Sequence, residues 1–281
     1  MSLTIIALVL AAALLHASWN ALAKKSSDPL FGIGSFRLVC AGFAICFIPF
    51  VDLPAKESWW ALLVSTLIHS AYYFTAAASL KAADLSQVYP LYRGISPLLV
   101  AILSTWFASE WLNPVQWSAV FIITTGLLTI AWHPDIRGRL SRQALMWGLA
   151  TSVLIACYTV IDGLGVRVAG DPLSYIVWLF ALEALPIGAY LVFKDRQGFT
   201  NYMSANMTTC IAGGIASAVA YGLVIYAMSL GAIALVSSLR ETSVIFAAII
   251  GSVFLREPFG RRRVIASAIV VLGVIIIRLA D

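Results

Sequence analysis

Ten apolar runs set the main limit on what this 281-residue chain can fold into. Each run has roughly the 20 apolar residues that a helix needs to cross the hydrocarbon core of a bilayer. Only 11% of the residues are charged, whereas a soluble domain has about 25%. The sequence therefore predicts an all-α, polytopic membrane protein with ten transmembrane helices, numbered here as spans 1 to 10. The runs cover residues 3–23, 30–51, 58–80, 85–108, 113–132, 143–164, 173–193, 205–228, 232–255 and 263–279.

The chain carries an internal repeat. "SSDPLFGIGSF" after span 1 and "AGDPLSYIVWL" after span 6 share an Asp-Pro-Leu triplet, and "LYRGIS" and "LRETS" align Arg93 with Arg240. The repeat predicts a five-span half over residues 1–135, a polar linker over 136–142 and a second five-span half over 143–281. Because an odd number of spans makes the second half enter the membrane from the opposite face, we predict two inverted repeats, a common architecture of secondary transporters.

Charged and histidine side chains lie inside the predicted spans, where polar groups are costly and are functional candidates. Three arginines accompany three carboxylates, so these residues could form internal ion pairs that only hold the bundle together. They could also line a polar cavity. The set comprises Arg37, Arg93, Arg240, Asp162, Glu183, Glu241, His16 and His69.

Helical spacing favours the cavity, because residues three and four apart share one face of a helix. Aromatic, hydrogen-bonding and charged residues recur at this spacing in spans 1, 3, 4, 6 and 9, and lipid would not tolerate such faces. Two prolines, Pro90 and Pro97, flank Arg93 in span 4 and predict a kinked helix there. The predicted substrate-binding residues are Arg93, Tyr89, Tyr92, Arg240, Glu241, His16, Trp19, Asn20, His69, Tyr72, Tyr73, Tyr158, Asp162 and Tyr221.

Two carboxylates are candidates for carrying a coupling proton. Burial favours the neutral form of a carboxyl group, whereas a neighbouring arginine favours the charged form. Glu183 has no basic partner within its own helix and ranks first, followed by Asp162. Glu241 adjoins Arg240 and is predicted to stay ionised.

Several features of the sequence resemble one family. The ten spans in two halves, the acidic residues that end "FASE" and "FLRE", and "VSSLRETSVIFAAIIGSVFLREP" are similar to the EamA-like branch of the drug/metabolite transporter superfamily. "HASWNALAKK" and "VYPLYRGISPLLVA" resemble a subgroup of that branch associated with phosphonate utilisation. The resemblance implies a multi-pass transporter of the cell inner membrane and metabolite export.

The predicted cavity suits a small zwitterion or organic anion, such as an amino acid or aminophosphonate, because arginine binds carboxylate and phosphonate oxygens through two donors. Arg93, with Tyr89 one turn before it, is the predicted anchor of the anionic group. A flippase for a lipid-linked headgroup and a multidrug exporter are the alternatives. The chain has no ATP-binding motif and no HExxH or GxSxG motif, so secondary transport is predicted rather than an enzyme. The four cysteines form no CxxC pair, and no metal or other cofactor is predicted.

The expected partners are a small-molecule substrate, the lipid bilayer and protons as a candidate coupling ion, with no nucleic acid. Both a monomer and a homodimer are compatible with the sequence. The loops after spans 1, 3, 5, 7 and 9 hold twelve Lys and Arg residues, and the other loops and termini hold three. The positive-inside rule then places the termini outside, whereas the family resemblance implies cytoplasmic termini.

Overall fold

The chain folds as a helical bundle. The structure, a computed structural model, describes residues 2–23, 28–83, 85–131, 141–254 and 261–280, with side chains for all of these except 20–23, 85–87, 130, 131, 248, 251–254 and 261–263. These described parts contain eleven α-helices and two short 3-10 turns, Ile48–Phe50 and Lys56–Ser58. The helices are α1 (Leu3–Ala23), α2 (Pro29–Ile45), α3 (Trp59–Ala82), α4 (Leu85–Phe107), α5 (Pro114–Ala131), α6 (Arg142–Arg167), α7 (Pro172–Ala205), α8 (Met207–Leu230), α9 (Ile233–Arg240), α10 (Ser243–Phe254) and α11 (Arg261–Leu279).

The ten-span, all-α prediction is confirmed, with α9 and α10 together forming span 9. Helices α2, α3, α6, α7 and α8 are long and apolar enough, by length and composition, to cross a membrane. Large apolar side chains cover much of the surface of the bundle, including Trp106 at 75% exposure and Phe193 at 90%. Such a surface is costly in water and is the natural surface of a protein solvated by lipid.

The Asp-Pro-Leu repeat marks two equivalent helix starts. Asp28 accepts hydrogen bonds from the backbone N–H groups of Leu30 and Phe31 at 2.8 and 3.1 Å. Asp171 accepts one from the backbone N–H of Ser174 at 2.8 Å. In both helices a proline takes the first position, where its missing N–H costs nothing. The repeat thus encodes the same capped entry into α2 and α7.

Helix packing follows the same symmetry. Helix α1 packs on α8, and its repeat equivalent α6 packs on α3. Helices α2 and α7, which are equivalent in the repeat, pack on each other, and so do α5 and α11. Exchanging each span for the one five places along leaves these pairs unchanged. This is the pattern that two five-span halves would produce. The division at 136–142 stays a prediction, because most of that linker lies outside the described residues.

Span 4 is one continuous helix, whereas span 9 is interrupted. Helix α4 is helical through both Pro90 and Pro97. The carbonyl of Arg93, which Pro97 cannot bond, accepts a hydrogen bond from the Ser96 hydroxyl at 3.4 Å. Span 9 instead breaks between α9 and α10, where the backbone N–H of Glu241 bonds the carbonyl three residues earlier at 3.2 Å.

Helix α7 extends beyond its predicted end at residue 193. Asp195 has non-helical angles, φ −160° and ψ 77°, and it divides the helix. Its carboxylate accepts a hydrogen bond from the backbone N–H of Gly198 at 2.8 Å, which starts a second helical segment that ends at Ala205. The buried Phe199 anchors this segment against Phe31 of α2.

A close helix contact gives a first prediction. A Cβ atom on Gly165 of α6 would lie 2.6 Å from both Ala61 of α3 and the Tyr175 ring of α7. We expect Gly165→Ala to destabilise the protein by about 1–3 kcal/mol, since overpacking forces neighbouring groups apart. Gly42→Ala is the matched control, because a Cβ there meets nothing within 4 Å. Thermal unfolding in detergent measures both, and equal midpoints would show that α3 and α6 can separate without cost.

Candidate functional site

A narrow cavity of about 60 Å³ lies among α1, α2, α3, α6, α8 and α9. No described residue of α5 or α11 lines it. The space holds a few water molecules, at roughly 10–15 Å³ each, so a metabolite would require the lining side chains or helices to move apart. The cavity is lined by His16, Trp19, Ile33, Phe36, Arg37, His69, Tyr72, Tyr73, Tyr158, Ser217, Tyr221 and Arg240.

Aromatic rings form one wall of the cavity. His69 stacks on Tyr158 with ring centroids 4.0 Å apart. The ring of Tyr221 meets both of these rings edge to face, at 5.7 Å from His69 and 5.8 Å from Tyr158. Tyr72 contacts Tyr158 in the same way at 5.4 Å. This wall offers ring faces to a cationic or apolar group and hydroxyls to a polar one.

A buried ion pair joins Arg37, which lines the cavity on α2, to Glu183 of α7 behind the lining. Arg37 donates a hydrogen bond to Glu183 Oε1 at 3.0 Å, and it also donates to the Ser217 hydroxyl. The second carboxylate oxygen of Glu183 accepts from the Tyr73 hydroxyl at 3.0 Å and lies 3.7 Å from His69 Nε2. Glu183 therefore has a basic partner from another helix. The ranking of Glu183 as proton carrier considered only its own helix.

A second charged group lies where span 9 breaks. Glu241 is fully buried between two arginines, with Oε2 3.0 Å from Arg93 Nε and Oε1 3.6 Å from Arg240 Nε. Neither contact is aligned as a hydrogen bond. Arg93 also donates to the Ser243 hydroxyl at 3.3 Å. Two cations share one anion here, so the group carries a net positive charge.

Arg240 is the member of this group that faces the cavity. Its side chain is 2% exposed, and its Nε and one Nη nitrogen have no hydrogen-bond partner among the described residues. Unpaired buried donors of a charged group are costly. A ligand with an anionic group would satisfy them.

Asp162 is held in a different way from the two glutamates. It is fully buried on α6 and accepts hydrogen bonds from the hydroxyls of Tyr221 at 2.6 Å and Tyr175 at 3.1 Å. Within the described part of the chain it forms no ion pair with an arginine or lysine. Tyr221 lines the cavity, so one hydrogen bond separates Asp162 from the space.

Several residues predicted to bind substrate lie behind the lining. Arg93 of α4 and Glu241, the residue after α9, belong to the charged group at the break in span 9. Tyr89 lies beside the Arg93 guanidinium at 5.8 Å, and Tyr92 packs on Tyr89 at 5.4 Å. The side chain of Asn20 is outside the described residues. The eight predicted residues that do line the cavity are His16, Trp19, His69, Tyr72, Tyr73, Tyr158, Tyr221 and Arg240.

Span 2 was missed as a wall of the cavity, although the signal was present. Ile33, Phe36 and Arg37 lie three and four residues apart and share a helix face, as the residues predicted on spans 1 and 3 do. Ser217 and Tyr221 show the same spacing on span 8.

Comparison with known proteins identifies the family. Residues 3–132 and 142–279 match the EamA-like transporter family. The chain belongs to this family. Membership in this branch of the drug/metabolite transporter superfamily makes the protein a multi-pass membrane transporter rather than an enzyme, and it accounts for the ten spans.

Two proteins that are similar along most of this chain share only about a quarter of its residues. A WAT1-related chloroplastic protein of Arabidopsis thaliana is 23% identical over 92% of this chain, and the match spans 66% of the Arabidopsis protein. A transporter of Synechocystis, described as uncharacterized, is 25% identical over 81% of this chain and 74% of its own length. A solved crystal structure superposes with a TM-score of 0.79 at 15% identity, covering 99% of this chain and 98% of that one, which shows the same fold. The phosphonate-associated subgroup stays a prediction.

Proposed function

We propose that this EamA-like transporter moves a small polar metabolite with an anionic group, a zwitterion or an organic anion, by secondary transport with alternating access. The observation that carries this proposal is Arg240, a buried arginine that faces the cavity with unpaired donors. Carboxylate and phosphonate groups match its planar donor geometry. The aromatic wall around His69 and Tyr158 supports the rest of the solute.

The two alternative cargoes match the lining less well. A lipophilic cation would be repelled by Arg240 and by the net positive charge behind it. A lipid-linked headgroup would also offer an anionic group, but its acyl chains need an apolar path to lipid, whereas the six helices line this cavity mostly with polar and aromatic side chains. A small anionic metabolite therefore fits the charge and the lining of the cavity better than either alternative cargo.

Counterflow in proteoliposomes tests the proposal. Liposomes loaded with one candidate solute are given the labelled solute outside, and exchange is measured for amino acids, aminophosphonates, nucleobases and a lipophilic cation. We expect exchange only for solutes with a carboxylate or phosphonate group. Exchange of the lipophilic cation alone would favour a multidrug exporter. Movement of a labelled lipid without exchange of any solute would favour a flippase.

Proton coupling is assigned in this proposal to Asp162 rather than Glu183. Glu183 is neutralised by Arg37 at 3.0 Å, whereas the hydroxyls that bond Asp162, those of Tyr175, Tyr221 and Ser65, are neutral. His69 of α3 also interacts with the Asp162 carboxylate. A carboxylate without an arginine or lysine partner can gain or lose a proton without breaking such an ion pair.

Asp162→Asn tests this assignment. Asparagine can still accept the tyrosine hydrogen bonds but does not titrate near neutral pH. We therefore expect normal counterflow and loss of the stimulation of transport by a pH gradient. Glu183→Gln is the comparison and should retain pH-driven accumulation. The reverse result, with Asp162→Asn still pH-driven and Glu183→Gln not, would restore the order predicted from sequence.

A further inference from the structure

A hydrogen-bonded network lies at the membrane face that carries the loops after spans 2, 4, 6 and 8, called here the even-loop face. Glu110, three residues after α4, accepts a hydrogen bond from Arg167 Nη2 at 2.6 Å. The same carboxylate accepts from the backbone N–H of Ile233 at 2.9 and 3.1 Å. Arg167, the last residue of α6, also donates to the carbonyls of Met228 at 3.0 Å and Gly231 at 2.6 Å.

This network connects the two halves of the protein. Glu110 belongs to the first half, whereas Arg167 and the turn between α8 and α9 belong to the second. A backbone hydrogen bond from Ala55 N–H to the Ala169 carbonyl, at 3.0 Å, joins the halves at the same face. Contacts at the even-loop face therefore join the two halves directly.

The network also holds one end of the helix that carries the cavity arginine. Helix α9 is only eight residues long, and all of its residues are buried. Its first N–H group, on Ile233, is bonded by Glu110, and its last residue is Arg240. Because α9 ends at Arg240 in a turn, α9 is a separate short helix whose start is fixed by Glu110 and Arg167.

We infer that Glu110 and Arg167 are positioning residues for transport, a latch that joins closure of the even-loop face to the placement of Arg240 in the cavity. While the latch is closed, α9 is held at its start and Arg240 faces the cavity. Opening of the even-loop face separates Glu110 from Ile233 and frees α9 to shift. Only the part of this inference that concerns the placement of Arg240 rests on the proposed function.

The composition of the latch suits repeated opening. The Glu110 and Arg167 side chains are 13% and 29% exposed, respectively, so water can solvate both charges when they separate. Arg37 and Glu183, by contrast, are 9% and 0% exposed and have no such access. A partly exposed pair can break during each cycle, whereas a fully buried pair is suited to static support.

Distance measurements between spin labels test the latch without any substrate. Cysteines replace two exposed residues, Trp111 in the loop after α4 and Leu173 at the start of α7, in a protein whose four native cysteines are replaced. We expect Glu110→Gln and Arg167→Gln each to shift the distance distribution to longer values. Glu57→Gln, which changes an exposed glutamate of the same face, should leave it unchanged.

A charge reversal sharpens the test. Glu110→Arg with Arg167→Glu restores an ion pair, but an arginine cannot accept from Ile233 N–H and a glutamate cannot donate to the Met228 carbonyl. We expect this double variant to stay open, and Glu110→Asp to close partly. A normal label-to-label distance in the charge-reversed protein would show that Glu110 and Arg167 form only an ion pair and do not hold the start of α9.

Transport kinetics give the second readout. With Glu110→Gln we expect a changed turnover and a raised KM together, because both the closed face and the placement of Arg240 are affected. Unchanged distances in both glutamine variants would overturn the latch. If the distances shift but Arg240→Lys binds substrate normally, the latch stands and the proposed role of Arg240 fails.

Discussion

Replacing Arg37 with methionine is expected to destabilise the folded protein by about 3–5 kcal/mol, the usual cost of leaving one partner of a buried ion pair uncompensated. Glu183 is fully buried, and without Arg37 it keeps one hydrogen bond, from Tyr73 at 3.0 Å, together with His69 at 3.7 Å. Methionine retains most of the apolar stem of arginine, so lost packing contributes little. Thermal unfolding in detergent and the yield of folded protein measure the effect.

A double variant separates charge from packing in this experiment. Arg37→Met with Glu183→Gln removes both charges, and the glutamine oxygen can still accept from Tyr73. We expect the double variant to be more stable than Arg37→Met alone, because no uncompensated charge is left in the bundle. Arg196→Met, at an exposed arginine, controls for loss of charge. A single variant as stable as this control would show that the pair contributes nothing to folding.

The spans could be predicted from the sequence because the signal for them is local. A run of about 20 apolar residues specifies a membrane helix whatever its neighbours are. The caps at Asp28 and Asp171 are local as well, since an aspartate before a proline starts a helix through its own side chain.

The pairing of the charges could not be predicted in this way. Glu183 has no basic neighbour within its helix, and its partner Arg37 is 146 positions away in sequence. Arg93 and Arg240 are equivalent in the repeat, yet Arg93 is occupied by Glu241 and Ser243 and Arg240 faces the cavity. The sequence repeat predicts that both arginines lie at a similar depth in the membrane, but it does not show which of them faces the cavity.

The prolines illustrate a second limit. Pro90 and Pro97 predict a kink in span 4, where a Ser96 hydroxyl supplies one missing hydrogen bond and α4 stays helical. The break in span 9 falls at "RET", which contains neither proline nor glycine. Two arginines around one buried glutamate coincide with that break, and this arrangement depends on α4 as much as on span 9 itself.

Arg240→Lys is expected to weaken substrate binding by about 10- to 150-fold, the equivalent of losing one charged hydrogen bond of about 1.5–3 kcal/mol. Lysine keeps the positive charge beside Glu241 but presents a single ammonium in place of a planar donor pair. Because the charge balance with Glu241 is retained, the folded yield should change little. Half-saturation of counterflow, with the anionic solute that the screen identifies, measures the effect.

Arg93→Lys is the matched control, because the two arginines share Glu241 and only Arg240 lines the cavity. The sequence alone favoured Arg93 as the anchor of the anionic group. The contacts of Arg93 with Glu241 and Ser243 give it a supporting role, so we expect Arg93→Lys to lower thermal stability more than substrate affinity.

The pair of variants distinguishes three arrangements of the site. Weak binding in Arg240→Lys with near-normal binding in Arg93→Lys places the anionic group at Arg240. The opposite pattern places it at Arg93, which would require the charged group around Glu241 to rearrange when substrate enters. Equal and small losses in both variants would mean that neither donor pair contacts the solute, and the aromatic wall formed by His69, Tyr158 and Tyr221 would then have to supply the binding energy without a charged contact.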